Sequence, residues 1–152
     1  MTKVDIKQAD WDTIRNDPDY DALIDAYAQE SSIDGMPKPN PNAELYKAMI
    51  EHGLMFAFTA RIDNRLSGFI GLLVTQNPHY GCLIGTIESF FVMPEHRSTG
   101  AGLKLLAAAR AFARERGAQG LLISAPTNST LSLVLKGLDF VHTNQVYFRP
   151  LT

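Results

Sequence analysis

The sequence predicts an α/β protein, a mixed sheet with helices on both faces. Three observations carry that prediction. Segments of strand periodicity alternate with segments of helix periodicity along the 152 residues. Between 83 and 124 a strand, an amphipathic helix and a short strand follow one another, a βαβ-type unit. The strand at 83–92 is apolar on both faces, as a strand covered on both sides must be.

The elements follow in order. Residues 4–6 form a short opening strand. Residues 11–29 read as one or two helices, broken near Asp17-Pro18 because proline cannot continue a helix. Tyr20, Leu23, Ile24 and Tyr27 share one face there. Residues 31–42 are a loop, with Pro37, Pro39 and Pro41 alternating beside Gly35. Asn40 is the expected cap of the next helix, with Pro41 at its first position. That helix runs to about 51 and points Leu45, Ala48 and Met49 inward. Strands at 54–62 and 66–75 form a hairpin about Asp63-Asn64. Residues 76–81 are a polar turn, and 83–92 the third strand of this run. A loop at 94–99 leads into the strongest helix, 100–116. Leu105, Leu106, Ala109, Phe112 and Ala113 make its apolar stripe, and Gly117 ends it. A short buried strand at 121–124, a last helix at 127–135 ended by Gly137, and a closing strand or hairpin at 140–149 complete the chain.

Size and composition narrow the function classes. The 16.8 kDa chain is expected to be one domain over residues 1–152. Hydrophobic residues at 45% and charged residues at 20% exclude a disordered chain. No apolar run reaches the roughly 18 residues of a membrane helix. Residues 1–6 lack the basic start and apolar run of a signal peptide. One cysteine, Cys82, fits a reducing cytoplasm. His52, His79 and His142 lack ligand spacing, and no zinc motif occurs, so no metal is expected. Residues 1–52 carry five Lys/Arg against eleven Asp/Glu, whereas 53–152 carry nine against five. That asymmetry reads either as solvated surface or as a cationic acceptor near the first part and a phosphate-bearing ligand near the second. Basic charge is too sparse for a nucleic-acid partner.

The informative stretch runs from Glu88 to Leu103. A buried strand ends at Pro94, and a loop then feeds the start of a long helix with Gly100 and Gly102 in its first turn. The first four amides of a helix lack partners within it. With the helix dipole they act like about half a positive charge. Glycines let an anion approach the backbone, and Arg97 adds fixed charge. Such a junction is a phosphate or pyrophosphate cradle. It is neither a Walker A loop nor a dinucleotide fingerprint, because no Gly-Lys-Ser/Thr follows and Leu103-Lys104-Leu105 comes after Gly102.

Val92-x-Pro94-x-x-Arg97-x-x-Gly100-x-Gly102-x-x-Leu105 resembles the acetyl-CoA signature of the GNAT N-acetyltransferases. The motif block spans about 84–128, and the element order matches beyond it. The resemblance implies a mostly antiparallel central sheet and acetyl-CoA as co-substrate. It implies amides of Arg97, Ser98, Thr99, Gly100, Ala101, Gly102 and Leu103 on the pyrophosphate. It also implies backbone of Phe90, Phe91 and Val92 along the pantetheine arm, and a cofactor contact from Asn128 at the opening of the last helix. The loop at 31–42 falls where the family meets its acceptor, and a homodimer is a family habit.

Acetyl transfer to an amine needs a base, since alkylamines with pKa near ~10 are protonated at neutral pH. Glu88 is the candidate: it is the only acidic residue between Asp63 and Glu95, and the family often has an acid there. Period-two alternation puts it on the face of Phe90 and Val92. Unpaired in that apolar strand, it would have a raised pKa; the alternative is a partner such as Arg61, Arg65 or a hydroxyl. A strand-end N–H at Val92 or its neighbour is the candidate oxyanion donor. Many members carry a tyrosine seven residues after the asparagine as the acid; here that position is Leu135, and the glycine usual before Phe140 is Asp139. Tyr80 and Tyr147 are substitute donors. The reading is therefore an N-acetyltransferase acting on a primary amine, of a small molecule or of a protein. Its competitor is a catalytically weak acyl-CoA-binding module serving as sensor or interaction protein.

Overall fold

The computed structural model describes residues 2–152, so Met1 lies outside it. Five strands form one sheet in sequence order. They are β1 (Val4–Ala9), β2 (Met55–Ile62), β3 (Arg65–Asn77), β4 (Cys82–Val92) and β5 (Leu121–Leu122). The first four pair antiparallel, and β5 joins β4 in parallel. Asp63 and Asn64 turn β2 into β3 with both φ angles positive, 48° and 69°, the backbone a two-residue hairpin requires.

Helices cover both faces. On one, α4 (Ala101–Glu115) buries Leu105, Leu106, Ala109 and Ala113 against Phe56, Phe58, Ile70, Leu72 and Val92. Phe112 packs on Phe56 with ring centroids 4.5 Å apart. The other face carries α1 (Trp11–Arg15), α2 (Tyr20–Ser31) and α3 (Ala43–Glu51). There Ile14 and Tyr20 pack on Ala57, and Leu23 on Leu66 and Phe91. The final helix, α5 (Thr130–Gly137), sends Leu135 into the α4 core. The fold is the mixed, mostly antiparallel sheet with two helical layers that the sequence predicts. β4 is covered on both sides as expected, with Ile87 and Val92 toward α4 and Phe91 toward α2.

Several local expectations are corrected. Asn42, not Asn40, caps α3: its side chain accepts the Leu45 N–H at 3.0 Å, and Pro41 precedes the helix. The inward face is also different: Leu45 is exposed, and Tyr46 with Ile50 turns toward the sheet. Residues 94–99 form a 3₁₀ turn (Pro94–Thr99) rather than an open loop. β5 covers Leu121–Leu122 only. The last helix starts at Thr130, because Ser129 supplies its cap by accepting the Ser132 N–H. Gly137 is the last helical residue; the left-handed residue that turns the chain away is Asp139, at φ 64°. Residues 140–149 form no strand.

Candidate active site

Glu88 stands on a break in the sheet ladder. Gly71 pairs with Ser89 and Leu72 with Ile87, so Glu88 is an extra residue with no partner on β3. A bulge of this kind spoils the period-two rule. Ile87, Phe90 and Val92 face the α4 core, whereas both Glu88 and Ser89 emerge on the α1–α3 side. The expectation that Glu88 shares a face with Phe90 and Val92 is thereby overturned. It is also solvent-exposed, so the apolar burial expected around it is absent. Its partner is a hydroxyl: Tyr46 donates to Glu88 Oε1 at 2.6 Å. Arg61 and Arg65, the other candidates, are taken by Asp17 and Asp19.

Tyr46 is held by a flat stack on Trp11, with centroids 5.3 Å apart and planes 6° from parallel. Burial, and then the bond to Glu88, push its phenol far above the ordinary value of 10.0. Tyr27 on α2 leans on the same strand. Burial and the Glu88 charge raise its phenol, offset in part by hydrogen bonding with the Phe90 backbone. On the far side of the bulge, Gly71 leaves room that a Cβ would fill, 2.8 Å from Ser89 Oγ and 3.3 Å from Glu88 Oε2.

β4 is open along its other edge. β5 pairs only with Gly85 and Thr86, so residues 87–92 run on past its end. That strip leads to the start of α4. Gly100 makes the turn there at φ 85°, a left-handed backbone that favours glycine. A Cβ at Gly100 would meet nothing within 4 Å, and one at Gly102 would lie 3.6 Å from Phe90. The junction is therefore open beside Gly100 and packed on Phe90 and Val92 at Gly102. Ala101 spends its N–H on Thr99 Oγ1 at 3.2 Å. Arg97 braces the approach: Nε donates to the Val92 carbonyl at 2.9 Å, Nη2 to Glu30 at 2.5 Å, and its charge lies over Phe91. Ser98 and Leu103 are exposed. Met93, beside Val92, commits its N–H to the Ser67 carbonyl.

Other expected members are elsewhere. Asn128 does not open the last helix; it sits before it at φ 59°, exposed. Leu135 is buried in the core. Tyr147, 85% exposed, donates to Gln145, and Tyr80 is 71% exposed on the β3–β4 turn, so neither hydroxyl is bonded to Glu88, whose partner is Tyr46. Tyr46 and Tyr27 carry the polar geometry around Glu88, and the sequence reading gave neither a role. The available signal was the i, i+4 pair Tyr46 and Ile50, which marks the inward face of α3. Among the described residues no group of His, Cys, Asp or Glu could hold a metal ion.

A glycine-turned helix start beside an opened parallel strand pair, with one carboxylate at a bulge, defines a class of acyl-transferring enzyme. The family model of the acetyltransferase (GNAT) family matches residues 13–133, and the chain belongs to that family. Solved structures agree in fold. A ribosomal-protein-alanine N-acetyltransferase from Brucella melitensis biovar Abortus 2308 is 20% identical, with TM-score 0.74 over 97% of this chain and 98% of its own. The structure of AAC(6')-Iy with a CoA-containing bisubstrate analogue is 21% identical, with TM-score 0.74 over 97% of each chain. An aminoglycoside acetyltransferase from an uncultured soil metagenomic sample, in complex with sisomicin, is 17% identical, with TM-score 0.73 over 98% of this chain and 95% of its own. A comparison with curated proteins gives no match.

Proposed function

We propose that this protein is an acetyl-CoA-dependent N-acetyltransferase that transfers acetyl directly to a primary amine, with Glu88 as general base. The observation that carries the proposal is the bulge: it sets a carboxylate, one oxygen fixed by Tyr46, on a strand whose free edge runs to the Gly100 turn. Acetyl-CoA supplies the acyl thioester. The residues that would hold it fit the task. The backbone of Phe90, Phe91 and Val92 lines the open edge. Arg97, Ser98, Thr99, Gly100, Ala101, Gly102 and Leu103 surround a helix start with open space beside Gly100. Anions favour such a terminus.

Glu88 takes the proton that an alkylamine carries at neutral pH, which frees the nitrogen lone pair. As the new C–N bond forms, the C–S bond breaks. With Leu135 in the core, protonation of the departing sulfur falls to solvent, which a thiol of pKa near ~8.5 tolerates. Glu88→Gln is expected to lower kcat/KM by about 10²–10⁴ and to leave the affinity for CoA, read by calorimetry, unchanged. An unchanged rate and pH profile remove Glu88 from the role.

The single cysteine supports residence in a reducing cytoplasm, and among the described residues no helix is long and apolar enough to cross a membrane. Self-association as a homodimer is supported by exposed apolar residues after α5, Val141, Val146 and Leu151 among them.

A further inference from the structure

From the cleft beneath Glu88 we infer that the acceptor is a small monoamine with an apolar body, either a short alkyl chain or one aromatic ring, and not a polycation. This inference rests on the transferase reading above and names its acceptor class.

The cleft lies between the sheet and α1–α3 and offers about 70 Å³. That is on the order of five water-sized positions, the bulk of a short side chain or a ring. Its walls are Trp11, Tyr27, Tyr46, Ile50, Met55 and Phe69, with Pro41 from the loop after α2. None of the lining residues is charged. At the sheet side it reaches Gly71 and Ser89, the two residues paired across the bulge. Glu88 adjoins that end: its Oε1 accepts from the Tyr46 hydroxyl, and its Oε2 lies 3.3 Å from the Cβ position of Gly71. An apolar chamber with one carboxylate at its rim matches a molecule with one ammonium and an apolar body. The apolar part leaves water, and the nitrogen meets the oxygen that Tyr46 does not use.

A second ammonium would find no partner in this cleft, and an unpaired charge against aromatic walls is costly. Several acidic residues of the first third are paired within the chain, and Asp25, Asp34 and Glu44, which have no ion pair among the described residues, do not line the cleft. Asp17 holds Arg61, Asp19 holds Arg65, Asp21 holds Arg15, and Asp12 holds Lys47. A larger depression of about 470 Å³ does carry Asp19, Asp63 and Glu95, but Tyr46, Gly71 and Ser89, the neighbours of Glu88, do not line it.

The test uses the whole chain. Trp11 is its sole tryptophan, so fluorescence reports occupancy of the cleft without turnover. Titration with ethylamine through pentylamine, and with phenethylamine, is expected to shift the emission saturably. The Kd falls about four-fold per added methylene until the cleft is full. Phenethyl alcohol binds more weakly than phenethylamine, and Glu88→Gln erases that difference. With acetyl-CoA present, KM follows the same series, while spermidine and kanamycin are poor acceptors. Affinity that is flat across the alkyl series overturns the inference, as does a higher kcat/KM for spermidine or kanamycin than for phenethylamine. Acetylation of polycations with no Trp11 response refutes the cleft and keeps the transferase. A chain-length-dependent Trp11 response without acetylation of any amine keeps the cleft and refutes the transferase.

Discussion

Glu88 and Tyr46 form a couple in which the phenol is the donor and the carboxylate the acceptor. The couple stands only while the phenol keeps its proton. Tyr20, Tyr27 and Tyr46 all have raised values, with burial the first cause in each. The folded state therefore holds these protons to higher pH than the unfolded chain, whose phenols ionise near 10.0. Stability from this source is fully present below that pH and is lost as pH climbs toward the folded values. Thermal unfolding from about pH 9 to 11 is expected to show a falling midpoint, less steep in Tyr46→Phe. A midpoint that rises over that range contradicts the assignment. Little of this couple was legible in the sequence. Glu88 announces itself as a lone acid in an apolar strand, but the side it faces depends on the bulge, which no periodicity reveals.

At the scale of elements, the legible parts were those set by local rules. The 3.6-residue stripe of α4, the positive-φ turn at Asp63-Asn64 and the Gly117 stop at φ 87° all stand where sequence patterns put them. Caps were less legible, since Asn40 and Asn42 offer the same chemistry two residues apart. The inward face of α3 was equally hard to read, since Tyr46 and Ile50 are flanked by other apolar residues at helical spacing. The helix start at Gly100 gives a prediction of its own. Its left-handed backbone tolerates Asn, and a side chain there meets no protein atom within 4 Å. Gly100→Asn is thus expected to keep thermal stability within about 1 kcal/mol of the parent while weakening CoA binding at least about ten-fold, since it fills open space at the helix start where the anion is proposed to sit. Equal losses of stability and affinity would point to backbone strain alone.

Over the whole molecule, part of the charge asymmetry is internal pairing. Asp17 and Asp19 in the acidic first third meet Arg61 and Arg65, and Glu30 meets Arg97. A count of charge along the chain cannot distinguish such pairing from a ligand signal, because partners 44 to 67 positions apart meet only in the fold. The C-terminal segment is the least legible region. Its alternation suggests a hairpin, yet residues 140–152 carry no regular structure, and Val141, Val146 and Leu151 are each more than 80% exposed. Sedimentation of the full chain is expected to give a dimer, and a chain ending after Phe140 a monomer. Identical sedimenting species in the two would exclude this segment from self-association.

The bulge has one more consequence. Removal of Glu88 alone would bring Ile87 and Ser89 into succession against Leu72 and Gly71, the rungs they already occupy. The regular alternation of faces would then run unbroken from Ile87 through Val92. The carboxylate proposed as the base is in this sense a one-residue insertion carried by a sheet that is complete without it. A chain lacking Glu88 is expected to fold at least as stably as the parent and to be inert. Here the trade between stability and activity is confined to a single codon.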